Sequence, residues 1–166
     1  MIAGIVTVGP DLRRQVKIAS VCRERYAGGD QFACIDPAFK DFFIVAEKTR
    51  GRLPRNSVVI SRKPTIFFLH SGYKSVVYPF FAVPDSLFNL ASRSGAKYLV
   101  IDKIGDVAPR FLHPILLSRR DDFCIIPELS TADAAMAQIE VGGPRRPDAA
   151  PNSFRTCPLS PPASNP

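Results

Sequence analysis

Two short β-branched runs, Val58-Val59-Ile60 and Val76-Val77, lie on either side of an apolar block that opens at Pro64 and closes at Gly72. That order constrains the fold more than anything else in the chain. An unbroken apolar run reads as a strand buried on both faces, which is the habit of parallel sheets. Parallel neighbours need a crossover between them, and the residues between these runs suit a short helix. Proline is tolerated at the first helical position and glycine supplies the left-handed C-terminal cap. The reading is therefore strand Val58–Ser61, helix Pro64–Gly72 and strand Val76–Tyr78, the last ended by Pro79. Pro84-Asp85 then opens a second helix, with Asp85 as its cap and Leu87, Leu90 and Ala91 on one face. Gly95 closes that helix, and a third strand follows over Lys97–Asp102. This is the spacing of βαβ units.

The flanking segments extend the pattern. Asp36-Pro37 starts a helix whose Phe39, Phe42, Phe43, Ala46 and Arg50 recur at three- and four-residue steps, ending at Gly51. Such an aromatic stripe is core packing far more often than a cofactor box. Pro109 opens a helix to Leu117 that Pro114 shortens or kinks. Phe123–Ile126 is a fourth strand, and Ala135–Val141 alternates as an edge strand does. The expected fold is a small three-layer α/β domain with a mostly parallel sheet of about 4–5 strands. It spans 34–141, between an N-terminal arm over 1–33 and a tail over 142–166. The arm holds the uncharged Met1–Gly9, a helix around Leu12–Arg25, and a break at Gly28-Gly29-Asp30. The tail has seven prolines and two large apolar side chains, Phe154 and Leu159, and is expected to be disordered.

The composition, 46% hydrophobic and 22% charged, is that of a globular protein. Of the net charge of +7, residues 1–26 carry +3 and residues 142–166 carry +2. The excess thus sits in the arms, no basic-aromatic stripe crosses the core, and no nucleic-acid partner is expected. Met1–Gly9 is too short to span a bilayer, which takes about 20 apolar residues. Cys22, Cys34, Cys124 and Cys157 form no C-x-x-C pair, so no metal site is indicated. Cys34 and Cys124 read as buried thiols; if the chain meets an oxidising compartment a disulfide among the four cysteines is possible, with a connectivity that spacing does not give.

No G-x-G-x-x-G, Walker loop or G-x-S-x-G elbow occurs, and no cofactor or catalytic set is implied. His70 and His113 stand apart, and Asp121-Asp122 beside Arg119-Arg120 reads as a solvated turn. In open α/β sheets ligands bind beyond the carboxyl ends of the strands, where strand order switches. Two such ends carry charge here: Arg62 and Lys63 after the first strand, and Asp102 at the end of the third. If those strands are neighbours, the three side chains can hold a small anion or a sugar, with Arg62 as a forked donor. The competing reading is that they are ordinary surface ends of buried strands.

Several of these stretches occur together in a known family. Leu53-Pro54, Val58-Val59-Ile60-Ser61-Arg62-Lys63-Pro64, Phe67-Phe68, Ser71-Gly72 and Tyr78-Pro79 come in a familiar order. Tyr98-Leu99-Val100-Ile101-Asp102 and Arg110-Phe111-Leu112-His113-Pro114 follow them. Over residues 34–141 the chain resembles the soluble C-terminal domain of multi-pass membrane glycosyltransferases of the protein mannosyltransferase and aminoarabinose transferase type. The resemblance implies a non-catalytic, extracytoplasmic domain that assists acceptor binding, with a membrane-embedded transferase portion or its acceptor as partner. The catalytic carboxylate and the lipid-linked donor site of such enzymes lie in membrane parts that this sequence does not contain. Met1–Gly9 then resembles the remnant of a last membrane helix, although Arg13, Arg14 and Lys17 after it depart from the expected topology. The alternative is a free-standing α/β protein that binds a small anionic or sugar ligand at Arg62, Lys63 and Asp102.

Overall fold

A computed structural model describes residues 9–142 and 153–159. The chain divides into two compact units, Met1–Asp36 and Pro37–Pro166. In the first, helix α1 runs over Gly9–Ala27, longer at both ends than Leu12–Arg25. A disulfide joins Cys22 to Cys34, and Arg25 Nη2 lies 2.6 Å from Asp30 Oδ2. Cys34 is exposed, so it is not the buried thiol that its apolar neighbours suggested. Residues 1–8, and with them nearly all of the apolar stretch Met1–Gly9, lie outside the described residues. Among the described residues no helix is long and apolar enough to cross a membrane.

The second unit begins with α2, Pro37–Thr49. Then come β1 (Val58–Ile60), α3 (Pro64–Ser71), β2 (Lys74–Val76), α4 (Pro84–Ser94) and β3 (Ala96–Asp102). Both expected crossovers are present, and β1 pairs in parallel with β2 on one side and β3 on the other. Gly72 and Gly95 take the left-handed conformation that ends α3 and α4, at φ of 80° and 67°. Two local expectations shift. β2 starts earlier than Val76–Tyr78, because Ser75 Oγ donates to the Val59 carbonyl and holds Lys74–Val76 beside β1. The cap of α4 is Val83 and not Asp85, which sits in the first turn.

After β3 the expected helix divides. Ala108–Leu112 forms a π-helical turn, and α5 follows over His113–Ser118. Pro114 has no amide to give to the Arg110 carbonyl, and the widened turn places the His113 amide on the Ala108 carbonyl instead. β4 (Phe123–Ile126) and β5 (Ala134–Ile139) are antiparallel, and the order across the six-stranded sheet is β2-β1-β3-β5-β4-β6. β5 is therefore interior, not the edge strand that its alternation suggested. It returns antiparallel beside β3, with Ala134, Met136 and Ala137 buried.

The edge beyond β4 is taken by β6, Arg155–Thr156, which runs parallel to β4. This corrects the expectation of a wholly disordered tail. Phe154 packs against one core cluster and Leu159 against the other. The Cys157 amide donates to the Ile125 carbonyl at 2.9 Å, and Cys157 is disulfide-bonded to Cys124. The tail's two large apolar side chains are thus both engaged, and a covalent link helps to offset the ordering entropy of this segment. Residues 143–152 and 160–166 lie outside the description.

Successive sheet residues feed two separate cores. Val59, Tyr98 and Val100 join Phe42, Val45 and Ala46 of α2 and Phe67 of α3. Val58, Ile60 and Leu99 join Leu87 and Ala91 of α4, Leu112, and Ile115 and Leu116 of α5. The Phe stripe of α2 is core, with Phe42 edge-on to Phe67 at 6.1 Å.

Candidate functional site

In the order β2-β1-β3, the chain leaves β1 toward one neighbour and returns to the other, so strand order switches between β1 and β3. Three adjacent parallel strands end at this place, and each delivers a polar side chain at its end or within two residues of it. Arg62 follows β1, Tyr78 follows β2, and Asp102 closes β3. Strand pairing does this: once the ladder ends, the next outward side chain meets the loops rather than another strand.

Asp102 is only 1% exposed. Its Oδ1 accepts the Ile104 amide at 3.0 Å, while its Oδ2 is buried and has no hydrogen-bond partner. Tyr78 is also 1% exposed, and its hydroxyl is likewise buried without a partner. Arg62 is half-buried, and its Nη1 is the third unpartnered atom at these strand ends; among the described residues Arg120 Nε and Arg155 Nε are the other two. Gly105, at φ 54°, lets the loop after β3 pass over the guanidinium, and a Cβ there would lie 3.6 Å from Nη1. Buried polar atoms in folded proteins are almost always paired. Three orphans at adjacent strand ends need an explanation.

The electrostatics tie them together. Burial raises the pKa of Asp102 above the usual carboxylate range, against the Ile104 hydrogen bond and the charges of Arg62 and Lys63, which pull it down. Burial also drives the Tyr78 phenol far up; Asp102 adds to that rise and Arg62 opposes it. Each orphan thus feels another, yet Arg62 and Asp102 form no ion pair. Lys63 precedes Pro64 at the start of α3, and its carbonyl accepts the Phe67 amide at 2.9 Å. Asp102 also lines a cleft of about 120 Å³ with Lys103, His113, Thr131 and Asp133, where Lys103 Nζ lies 2.6 Å from Asp133 Oδ1.

Arg62, Lys63 and Asp102 are therefore in electrostatic range of one another. Tyr78 and Gly105 were not singled out from the sequence. The signal for Tyr78 was its position, since it stands directly after a β-branched run just as Ser61-Arg62 does. An aromatic path leads outward from it: the Tyr78 and Phe80 rings lie 6.0 Å apart, and Phe80 and Phe111 lie 6.0 Å apart. Arg110 stands 5.2 Å over the Phe111 ring.

Other groupings are accounted for within the fold. His70 Nδ1 lies 3.2 Å from Glu47 Oε1, and its ring packs on Phe43 at 4.7 Å. Asp122 is no solvated turn residue: it is buried, accepts the Gly142 amide on Oδ1, and pairs with Arg119 on Oδ2. Cys124, Glu140 and Cys157 bring ligand atoms within 4.8 Å of one another. The two sulfurs are joined, however, and Glu140 is held by Arg155 at 2.6 Å and Gln138 at 3.2 Å. At the opposite ends of β1 and β3, a cleft of about 300 Å³ is lined by Arg55, Asn56, Lys97 and Gln138, none with a buried unpartnered atom.

Comparison of the chain with protein-family models, with curated proteins and with solved structures finds no match.

Proposed function

We propose that residues 37–166 form a non-catalytic α/β binding domain that holds a small anionic or sugar ligand beyond the carboxyl ends of β1, β2 and β3. The observation that carries this is the convergence of Arg62 Nη1, Tyr78 Oη and Asp102 Oδ2, three buried unpartnered polar atoms, at the switch in strand order. An unsatisfied buried polar group costs about 1–3 kcal/mol, and three together are tolerated where a ligand repays the cost. The two core clusters support the three-layer reading, with α2 and α3 feeding one and α4 and α5 the other.

In the setting implied by the resemblance to membrane glycosyltransferases, this site seats the acceptor at the extracytoplasmic face. The disulfides Cys22–Cys34 and Cys124–Cys157 support that setting, because such bonds persist in oxidising compartments. Titration of monosaccharides and sugar phosphates against the chain and its Arg62→Ala variant tests the site. The variant should bind at least about tenfold more weakly, as expected for a lost charge-assisted contact. Equal affinity in both proteins dismisses the site. The transferase setting is tested separately by the genomic sequence upstream of Met1, which should encode a series of apolar membrane segments.

A further inference from the structure

The amino ends of β1 and β3 carry two cations that the fold itself does not use. Residues 54–57 form a turn closed by the Ser57 amide on the Pro54 carbonyl at 3.1 Å, with Asn56 at φ 66° as a type II turn requires. Arg55 takes the other corner of this turn and is exposed. Across the β1–β3 pair the register slips: Val58 stands opposite Ala96, but Val59 stands opposite Tyr98. Lys97 is therefore a bulge residue with no counterpart on β1, and bulges re-aim a side chain away from the ladder. It too is exposed. Among the described residues neither the Arg55 nor the Lys97 side chain has a hydrogen bond or an ion pair. A single solvated cation needs no partner; two in one cleft are a different matter.

Both residues line the same cleft of about 300 Å³, together with Asn56 and Gln138, and no carboxylate lines it. Glu140 lies two residues beyond Gln138, but Arg155 and Gln138 already hold it, at 2.6 and 3.2 Å. An oxyanion here can accept from a forked guanidinium and an ammonium without facing a like charge in the cleft. A second cleft of about 230 Å³ adjoins the first and shares Gly95 and Lys97 with it. Its walls are mostly apolar: Phe88 and Ala91 of α4, Ile139 of β5, and Val141, which is 70% exposed. No carboxylate lines this cleft either. Lys97 thus stands where a cationic cleft meets an apolar one. A ligand with an anionic head and a short apolar group fits both.

We infer that this pair of clefts is a second binding site, and that it takes a small organic phosphate monoester. The phosphate is held by Arg55 and Lys97, and the apolar group lies against Phe88, Ile139 and Val141. A phosphate monoester carries about −1.5 to −2 at pH 7, which matches two cations better than the single charge of a carboxylate. The site shares no residue with the one at the strand carboxyl ends. Amide NMR titration of the full chain with phenyl phosphate, inorganic phosphate and benzoate tests it. Phenyl phosphate should give saturable shifts at Asn56, Ser57 and Lys97, and should bind several-fold more tightly than either other probe. Arg55→Ala and Lys97→Ala should each weaken it about tenfold, as for a lost charge-assisted contact. Both side chains are exposed and unpartnered among the described residues, so these variants keep the fold. Val141→Ser should cut the advantage of phenyl phosphate over inorganic phosphate, and Arg62→Ala should change nothing. Inorganic phosphate or benzoate binding as tightly, or an advantage unchanged by Val141→Ser, overturns the ligand class. No saturable shift at Lys97, or an affinity indifferent to either Arg55→Ala or Lys97→Ala, overturns the site. Shifts confined to Ile104 and lost in Arg62→Ala overturn it as well, and leave the strand-end site standing.

Discussion

Asp102 sets the pH behaviour of the folded unit. Its carboxyl is buried, one oxygen is unpartnered, and burial places its folded pKa above that of an unfolded aspartate. A group whose folded pKa is raised contributes its stability below the unfolded pKa and loses it as pH rises through the folded value. Ionisation of the buried carboxyl is thus a cost that sets in as the pH rises, eased by Arg62 and Lys63. Asp102→Asn keeps an oxygen for the Ile104 amide and removes the charge. It should melt higher than the parent at pH 7.5, and the difference should shrink as the pH falls through the carboxylate range. Thermal melts between pH 4 and pH 8 check this; a difference that grows on acidification would mean that Asp102 is held by a strong ion pair instead. The residue types of this cluster were half legible in the sequence. Arg62, Lys63 and Asp102 stand out because charge interrupts apolar runs. Tyr78 does not, because a tyrosine after a strand is unremarkable until its hydroxyl is seen to be buried without a partner.

Among the elements, β1, α3, α4 and β4 were readable because local signals agree: unbroken β-branched runs, proline at helix starts and glycine at helix ends. The strand at β5 was readable but not its interior place, and β6 was not readable at all, for one reason. A strand's place in a sheet depends on a partner distant in sequence, and β6 has only two residues and no periodicity. What holds it is the Cys124–Cys157 link, the Arg155–Glu140 pair, and the bond from Arg155 Nη2 to the Asp121 carbonyl at 3.1 Å. Cysteine spacing could not disclose that pairing. The disulfide closes a loop of sequence separation 33, for which loop-closure entropy gives a stabilisation of roughly 3–4 kcal/mol. Cys157→Ser should lower stability by about that amount in chemical denaturation, and amide exchange should quicken first at Ile125 and Cys157. An unchanged denaturation midpoint would show that β6 adds nothing to the sheet edge.

At the scale of the whole molecule, two compact units and two core clusters bear on how much chain the site needs. Every residue in both clusters, from Ala38 to Leu159, comes from the second unit, Pro37–Pro166. So do Arg62, Tyr78, Asp102 and the aromatic path through Phe80 and Phe111. The first unit has its own disulfide, and its α1 leaves Leu12, Val16, Ile18 and Val21 exposed. A unit of this size buries enough apolar surface to fold alone. A chain of residues 37–166 should therefore fold cooperatively, with a melting midpoint within a few degrees of the full protein's. It should also retain the full protein's affinity for whichever probe binds at Arg62. Circular-dichroism melts and the same NMR titration measure both. A truncated chain that melts without cooperativity would mean that residues 1–36 complete the core. One that folds but binds about tenfold more weakly would place part of the site in the first unit. The proposed site at the strand ends requires neither result.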